Sequence, residues 1–421
     1  MRPLVFGLVA AAAAFGLRLG FTAAYRGGLD QPPTYARCAS DGLEYDLFAR
    51  NVAAGRGYCW EDGSPTSFRA PGFPLAMAVV FAVFGVFYPA IHVFFAACGA
   101  ASVVGTYLFA RELLSDPKAR WVAALAVVYP PDIYMASNFL SEIPFVPALA
   151  FALWLLVRHR RTGEWWTVLV AGLLIGYGSL CRSFAILLLP ALGVYLLGNP
   201  VRRVGWTGAV LYGVGFLAAV LPWTARNYHV HGRVVLVATN GGSTFYGANN
   251  PVVAGSITEY GNWVATNRLP GRDLIDAQPD EVSHDQMEWK LGIEWVKAHP
   301  LDFAKLAVFK LARAWAPFVH WNSTKVNPIA NVVCTAPFLL LITVGLIRTG
   351  FTRSGWRQYA VCHLTLLATL VMVVIFWGEP RFRDANMPVL MIYAVEGGGW
   401  IVRRVGLRTA GQAGTGTSQS V

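Results

Sequence analysis

Apolar residues gather into long unbroken runs along this chain, and the polar residues fall between them. Runs of about 15 to 22 residues occupy 4–25, 90–110, 121–136, 141–157, 166–181, 184–198, 206–224, 329–347, 359–377 and 386–402. An α-helix needs roughly 20 such residues to cross the hydrocarbon core of a bilayer, and the shorter runs fit with some local thinning. The pattern predicts an all-α polytopic membrane protein of about ten transmembrane helices. The first run exceeds the usual apolar core of a signal peptide, and no small-x-small site precedes Arg26, so it is expected to stay as a span.

Charge then orients the spans. Basic clusters lie at 111–120, 158–161, 202–203, 348–357 and 403–408. All five face the cytoplasm, together with both termini, if the apolar segment 73–88 stays outside as a juxtamembrane or re-entrant helix. That topology divides the chain into a transmembrane module, 1–224, with a first outward loop at 26–89; a second outward region, 225–328; the last spans, 329–402; and a Gly/Ser/Thr-rich tail, 409–421, expected to be disordered. An inner membrane is the expected location, with the outward regions facing the periplasm or exterior.

The second outward region opens on a strand-like stretch, 234–239. A glycine pair, Gly241-Gly242, follows as a tight turn, and helical periodicity runs from 282 to 295. A small periplasmic mixed α/β subdomain is the expectation. Segment 302–318 alternates Phe303, Leu306, Phe309 and Leu311 with Lys305, Lys310 and Arg313, the pattern of an amphipathic helix at the lipid headgroups. No internal repeat of the kind seen in pseudo-symmetric transporters is evident.

Composition agrees with a membrane as solvent: the 421 residues are 55% apolar and 14% charged, with 15 Trp and 25 Phe. The net charge of +11 resides in the clusters that flank the spans, where it meets anionic membrane lipids, and no basic face with interleaved aromatics indicates nucleic acid. The six cysteines form no CxxC and no Cys/His ligand spacing. Cys98, Cys181, Cys334 and Cys362 read as packing residues, whereas Cys38 and Cys59 share the first loop and could bridge in an oxidising compartment. His229, His231, His284, His299 and His320 show no ligand pairing.

Candidate chemistry concentrates in the first loop. Asp41, Glu44 and Tyr45 open a helical pattern, Gly55-Arg56-Gly57-Tyr58 follows, and Arg69-Ala70-Pro71-Gly72-Phe73-Pro74 closes it. A carboxylate near the membrane surface can serve as a base; an Asp just ahead of an apolar-periodic helix equally suits an N-cap. Asp41 and Glu44 also offer two carboxylates to a divalent cation, though the chain commits to no cofactor.

The order of these motifs resembles the GT-C superfamily of integral-membrane glycosyltransferases, in particular the branch of aminoarabinose transferases and protein O-mannosyltransferases. Later segments continue the resemblance: Leu180-Cys181-Arg182, Pro222-Trp223-Thr224-Ala225-Arg226-Asn227, Gly247-Ala248-Asn249-Asn250-Pro251, and Arg381-Phe382-Arg383 ahead of Pro388. The resemblance implies a GT-C bundle that transfers a sugar from a polyprenyl-phosphate donor to a cell-envelope lipid, glycan or protein on the outer side of the membrane. It puts Asp41 in the place of the catalytic Asp and Arg69 in that of the basic residue approaching the donor phosphate. The family's Asp-Glu pair is Asp41-Gly42 here, with Glu44 the nearest second carboxylate.

Glycosyl transfer from a phosphate ester needs a base for the acceptor hydroxyl and cations for the departing phosphate. Arg69, Arg182, Arg226, Arg381 and Arg383 are candidates for the second role, since a guanidinium donates two parallel hydrogen bonds to phosphate. For Arg381 and Arg383 the alternative is a salt bridge with Glu379 or Asp384. Glu142 is either a partner for a cation or part of the acceptor site. The rival class is a secondary transporter or flippase of lipid-linked sugars, for which charge buried mid-span is expected.

Overall fold

The computed structural model describes residues 2–256, 258–317 and 328–413, excepting the side chains of 35–40, 202, 328, 330–331 and 406–413. Its helices are α1 (Pro3–Arg26), α2 (Tyr35–Ala53), α3 (Gly72–Phe84), α4 (Tyr88–Leu113), α5 (Asp116–Val128), α6 (Pro130–Met135), α7 (Glu142–Thr162), α8 (Trp165–Cys181), α9 (Leu188–Leu197), α10 (Arg202–His231), α11 (Gly241–Ala248), α12 (Pro251–Gly255), α13 (Arg272–Asp276), α14 (Glu281–Ala298), α15 (Pro300–Ala314), α16 (Pro328–Gly350), α17 (Arg353–Ile375), α18 (Pro380–Asp384) and α19 (Met387–Ala413). Among the described residues, six are long and apolar enough to cross a membrane: α1, α4, α7, α17, and the Arg203–His231 and Val332–Gly350 portions of α10 and α16. The apolar helices Gly72–Phe84, Trp165–Cys181 and Ser183–Leu197 are shorter. The chain is an all-α polytopic membrane protein.

Two of the expected ten spans change shape on inspection. The run 121–136 is two helices, because Tyr129 stands before Pro130-Pro131 in extended backbone and α5 therefore stops at Val128. The expected run 184–198 starts as a short 3-10 turn, Ser183–Leu187, before α9. The segment expected at 73–88 is α3, whose 13 residues measure about 20 Å at 1.5 Å per residue and fall short of a ~30 Å hydrocarbon core.

Packing is tightest where side chains vanish. Gly172 and Gly176 on α8 face the backbone of Tyr212 and Phe216 on α10, and Gly215 returns the contact against Leu169; a Cβ at any of them would collide. Small residues let two helix backbones approach in a bilayer, where dispersion contacts drive association. One large core runs from Ala10 and Ala14 through Leu149, Leu153, Ile175 and Phe216 to Leu390 and Tyr393. Leu4, Leu8, Val210, Val214 and Leu340 point away from it and stay exposed, as lipid-facing residues do.

Several expectations fail for identifiable reasons. No β-strand exists among the described residues; apart from one isolated bridge, Cys59 to Pro65, the backbone pairs within helices and loops. The stretch 234–239 has no ladder because its carbonyls are already used. Trp223 Nε1 donates to Val237 O, Asn227 Nδ2 to Val235 O and Thr224 Oγ1 to Leu236 O. The mixed α/β subdomain is therefore replaced by helices α11 to α15. Gly241 and Gly242 open α11 instead of turning tightly, and the Asp285 carboxylate accepts the Gly242 N–H at 2.6 Å. The expected amphipathic segment is α15, which keeps Lys305 exposed beside Asp302 but buries Lys310, whose Nζ donates to Asn249 Oδ1 at 2.7 Å. Phe318, His320 and the expected end of that helix lie outside the described residues. α19 continues to Ala413 into the expected tail, and 414–421 lie outside the described residues. Cys59 is a free buried thiol, and the side chain of Cys38, its expected partner, lies outside the described residues.

Candidate active site

α2 starts at Tyr35 with Thr34 at its N-cap, so Asp41 sits in the second turn and caps nothing. Asp41, Glu44 and Tyr45, three and four residues apart, share one face of the helix. That face is fixed by packing: Tyr45 meets Phe73 edge-on at 5.3 Å and Phe48 is fully buried. Opposite it, Gly72 starts α3 so close to the end of α8 that a Cβ would lie 2.8 Å from Cys181 N, which brings the Arg69 segment beside Arg182.

Five segments converge here. Arg69 donates through Nη2 to Asp41 Oδ1 at 2.8 Å and through Nε to Glu44 Oε2 at 2.5 Å. Glu142, at the start of α7, pairs with Arg182, at the end of α8. Arg381 on α18 pairs with Glu379 at 2.7 Å and lies 3.8 Å from both Asp41 Oδ2 and Glu142 Oε1. Arg381 also stands over the Trp377 and Phe382 rings, and Arg182 over Phe382, so each guanidinium is held by aromatic faces as well as by charge.

The electrostatics follow from that geometry. Burial pushes the Glu44 carboxyl up from its ordinary value, against the pull of the Arg69 guanidinium. Burial also disfavours the charge on Arg69, yet Asp41, Tyr45 and Glu44 outweigh it and hold the cation more firmly than usual. The same balance operates at Arg381, where Glu379, Glu142 and Asp41 overcome desolvation. Tyr45 is pushed up to about 12 by burial and by Asp41, so it stays a neutral phenol. As for a divalent cation, no group of three His, Cys, Asp or Glu side chains among the described residues is placed to hold a metal ion. Asp41 Oδ1 and Glu44 Oε2 are both paired with Arg69.

The structure thus brings together Asp41, Glu44, Tyr45, Arg69, Glu142, Arg182 and Arg381, and leaves out two candidates. Arg226 lies under the first loop, donating to Thr66 O at 2.7 Å and Tyr58 O at 2.9 Å. Arg383 stands two residues on from Arg381, roughly 200° round a helix, and is buried against Asp384 at 2.8 Å and Ala316 O at 2.8 Å. Of the salt bridges weighed as alternatives, both exist: Arg381 with Glu379 and Arg383 with Asp384. Glu379 joins the cluster as an acid that a motif reading had taken only as a partner. Its signal is its place immediately before Pro380-Arg381, at the N-terminus of α18.

Fold and site define a polytopic helical membrane protein with a cluster of carboxylates and guanidiniums at the ends of its helices. A family model described as dolichyl-phosphate-mannose-protein mannosyltransferase matches residues 68–225. No curated protein matches. Among solved structures, the archaeal oligosaccharyltransferase AglB from Archaeoglobus fulgidus, in complex with an inhibitory peptide and a dolichol-phosphate, aligns with TM-score 0.56 and 14% identity over 100% of this chain and 52% of its own. The same oligosaccharyltransferase tethered to an acceptor peptide containing the NVT sequon aligns with TM-score 0.56 and 15% identity, over 100% and 52%. ArnT from Cupriavidus metallidurans bound to undecaprenyl phosphate aligns more loosely, with TM-score 0.43 and 14% identity over 94% and 76%. The chain spans about half the length of the oligosaccharyltransferase it matches. Residues 68–225 thus match that family's model, and the fold of the chain is similar to that of the oligosaccharyltransferase.

Proposed function

We propose that the chain transfers a sugar from a polyprenyl-phosphate donor to a cell-envelope acceptor, with the site facing the exterior as the positive-inside pattern supports. The observation that carries the reading is the convergence of Asp41, Arg69, Glu142, Arg182 and Arg381 from five separate segments onto one cluster.

In this reading Asp41 is the base. Its Oδ1 is held by Arg69, while Oδ2 stands 3.8 Å from Arg381, beyond hydrogen-bond reach, and is free to accept the proton of an acceptor hydroxyl. The acceptor oxygen forms a bond to the anomeric carbon as the bond from that carbon to the phosphate oxygen breaks, and the electron pair leaves with the phosphate. Arg182 and Arg381 stabilise that leaving group. Arg69 has its Nε and Nη2 committed to carboxylates, so its part is to orient Asp41 more than to clamp phosphate. Glu44 and Glu142 fix Arg69 and Arg182, and Tyr45 supplies a neutral donor.

A flippase or transporter needs a charge that a solute can reach. Arg18, fully buried in α1, is paired with Asp132 and bonded to the carbonyls of Ala14, Ala126 and Val127, an arrangement that supports a structural clip over a solute site. The test is turnover by purified protein with a panel of polyprenyl-phosphate sugars, read as release of polyprenyl phosphate. No release with any donor, alongside solute movement in proteoliposomes, sinks the enzyme reading.

A further inference from the structure

Two side chains far from Asp41 converge on the chain just ahead of Arg69. Glu281 begins α14, directly after its N-cap Asp280. Its Oε1 accepts the Ser67 N–H at 2.8 Å and the Thr239 hydroxyl, and its Oε2 accepts the Thr66 hydroxyl at 2.5 Å. From the end of α10, Arg226 donates to Thr66 O, to Ser67 Oγ at 3.0 Å and to Tyr58 O. Ser67 Oγ also donates to Asn227 Oδ1 at 2.8 Å, and Thr239 N donates to Ser67 O at 3.0 Å. Tyr58, gripped by Arg226 through its carbonyl, uses its own hydroxyl to bond Arg69 O at 3.0 Å. Residues 66 and 67 thus have almost every polar group taken by α10, α14 or the 234–239 stretch, and the next two residues carry Arg69 to Asp41 and Glu44.

We propose that Glu281, with Arg226, is a positioning residue that sets the register of the Arg69 loop and so holds the Arg69 guanidinium between Asp41 and Glu44. The mechanical consequence is that α14, remote in sequence from the first loop, is tied to the state of the base. This rests on the reading of Asp41 as the base. A loop segment with a single short path to its functional residue transmits displacement, because buried carboxylate and guanidinium hydrogen bonds leave no unpaired alternative nearby.

Glu281→Ala removes all three acceptor contacts. Glu281→Gln keeps them, since its carbonyl can accept from Ser67 N and Thr239 while its amide donates to the Thr66 hydroxyl, which can turn. The readout independent of turnover is the reaction of Arg69 with phenylglyoxal, located by peptide mass. Arg69 is shielded in the native protein, its side chain 16% exposed between two carboxylates. Glu281→Ala should raise its labelling rate several-fold without raising that of Arg182 or Arg381, and Glu281→Gln should restore the native rate.

The catalytic readout is the acid limb of the pH–turnover profile. The groups facing Arg69 there are Asp41, Glu44, Tyr45, Glu142, Arg182, Glu379 and Arg381; those facing Glu281 are Asp280, Asp285, Arg226, His231 and Arg233. Arg69 pulls the Glu44 carboxyl down, so displacing it should move the limb up in Glu281→Ala and leave it in place in Glu281→Gln. Unchanged Arg69 labelling in Glu281→Ala overturns the proposal, as does labelling that rises equally at Arg69, Arg182 and Arg381, which marks general loosening. Raised Arg69 labelling with an unmoved acid limb also overturns it. If the wild type turns over no polyprenyl-phosphate sugar, the functional reading fails by itself, and the labelling still decides the clamp.

Discussion

Arg381 and Arg383 were equal candidates as motif residues, and only their helical phase separates them. Arg381 touches the edge of the Asp41 and Glu142 carboxylates, whereas Arg383 is 2% exposed and locked to Asp384, to which Tyr129 also donates at 2.6 Å. Arg381→Ala should therefore cut turnover by a factor on the order of 100 while the thermal melting point moves little, the scale of losing one preorganised charge at a developing anion. Arg383→Ala leaves Asp384 buried without its cation and should cost about 3 to 5 kcal/mol of stability. Melting curves and turnover on the two variants check both outcomes together; equal activity losses at equal stability would merge the roles again. Motif order pointed to Asp41, Arg69 and Glu142, which the structure brings into one cluster, because charged residues at the ends of apolar runs stand out in the sequence. Arg226 lies apart from that cluster, and its segment alone does not reveal that backbone carbonyls of the first loop take its donors.

At the scale of elements, the long apolar runs were easy to read and the polar region between α10 and α16 was not. Val234, Val235 and Val237 have strand composition, yet Trp223, Thr224 and Asn227 intercept their carbonyls from the last turns of α10. Long-range side-chain bonding of this kind has no local signature. The helices that stand there instead carry a testable charge. Burial pushes Glu288 on α14 up to about 7 and Asp285 up to about 6, with Gly242 N holding the latter back. A carboxyl raised above its unfolded value binds its proton in the folded state first, so its contribution is full below the unfolded value and is lost as pH rises through the folded one. Stability of this region should fall between pH 4.5 and about 7, by roughly 3 kcal/mol from Glu288, and Glu288→Gln should flatten the curve. Melting points across that window decide it. A rise in melting point with pH over the same range would contradict the buried-acid account. The start of α3 gives a second prediction: Gly72→Val places a side chain against Cys181 N and should separate the Arg69 segment from Arg182, lowering turnover more than helix content.

Over the whole molecule, the sequence carried the class through two independent periodic signals, apolar runs and the basic clusters between them. The number of spans was harder to read. A Tyr129-Pro130-Pro131 break divides one run and a 3-10 turn shortens another, so among the described residues six long helices stand clear where ten runs were expected, while α3, expected to stay outside the bilayer, is too short to cross. What the runs could not reveal is how the loops meet. The cluster at Asp41 is assembled from residues as far apart as Arg69 and Arg381, and that closure depends on α2, α3, the ends of α7 and α8, and α18 arriving at one place. The account's central claim is that this place is a sugar-transfer site with Asp41 as its base. Its most direct test is Asp41→Asn in purified protein reconstituted with polyprenyl-phosphate sugars. Asn preserves the size of the side chain and one acceptor oxygen for Arg69 but cannot take up a proton. The variant should fold and bind donor like the wild type and lose turnover by a factor of about 100 or more; turnover near the wild-type rate would contradict the account.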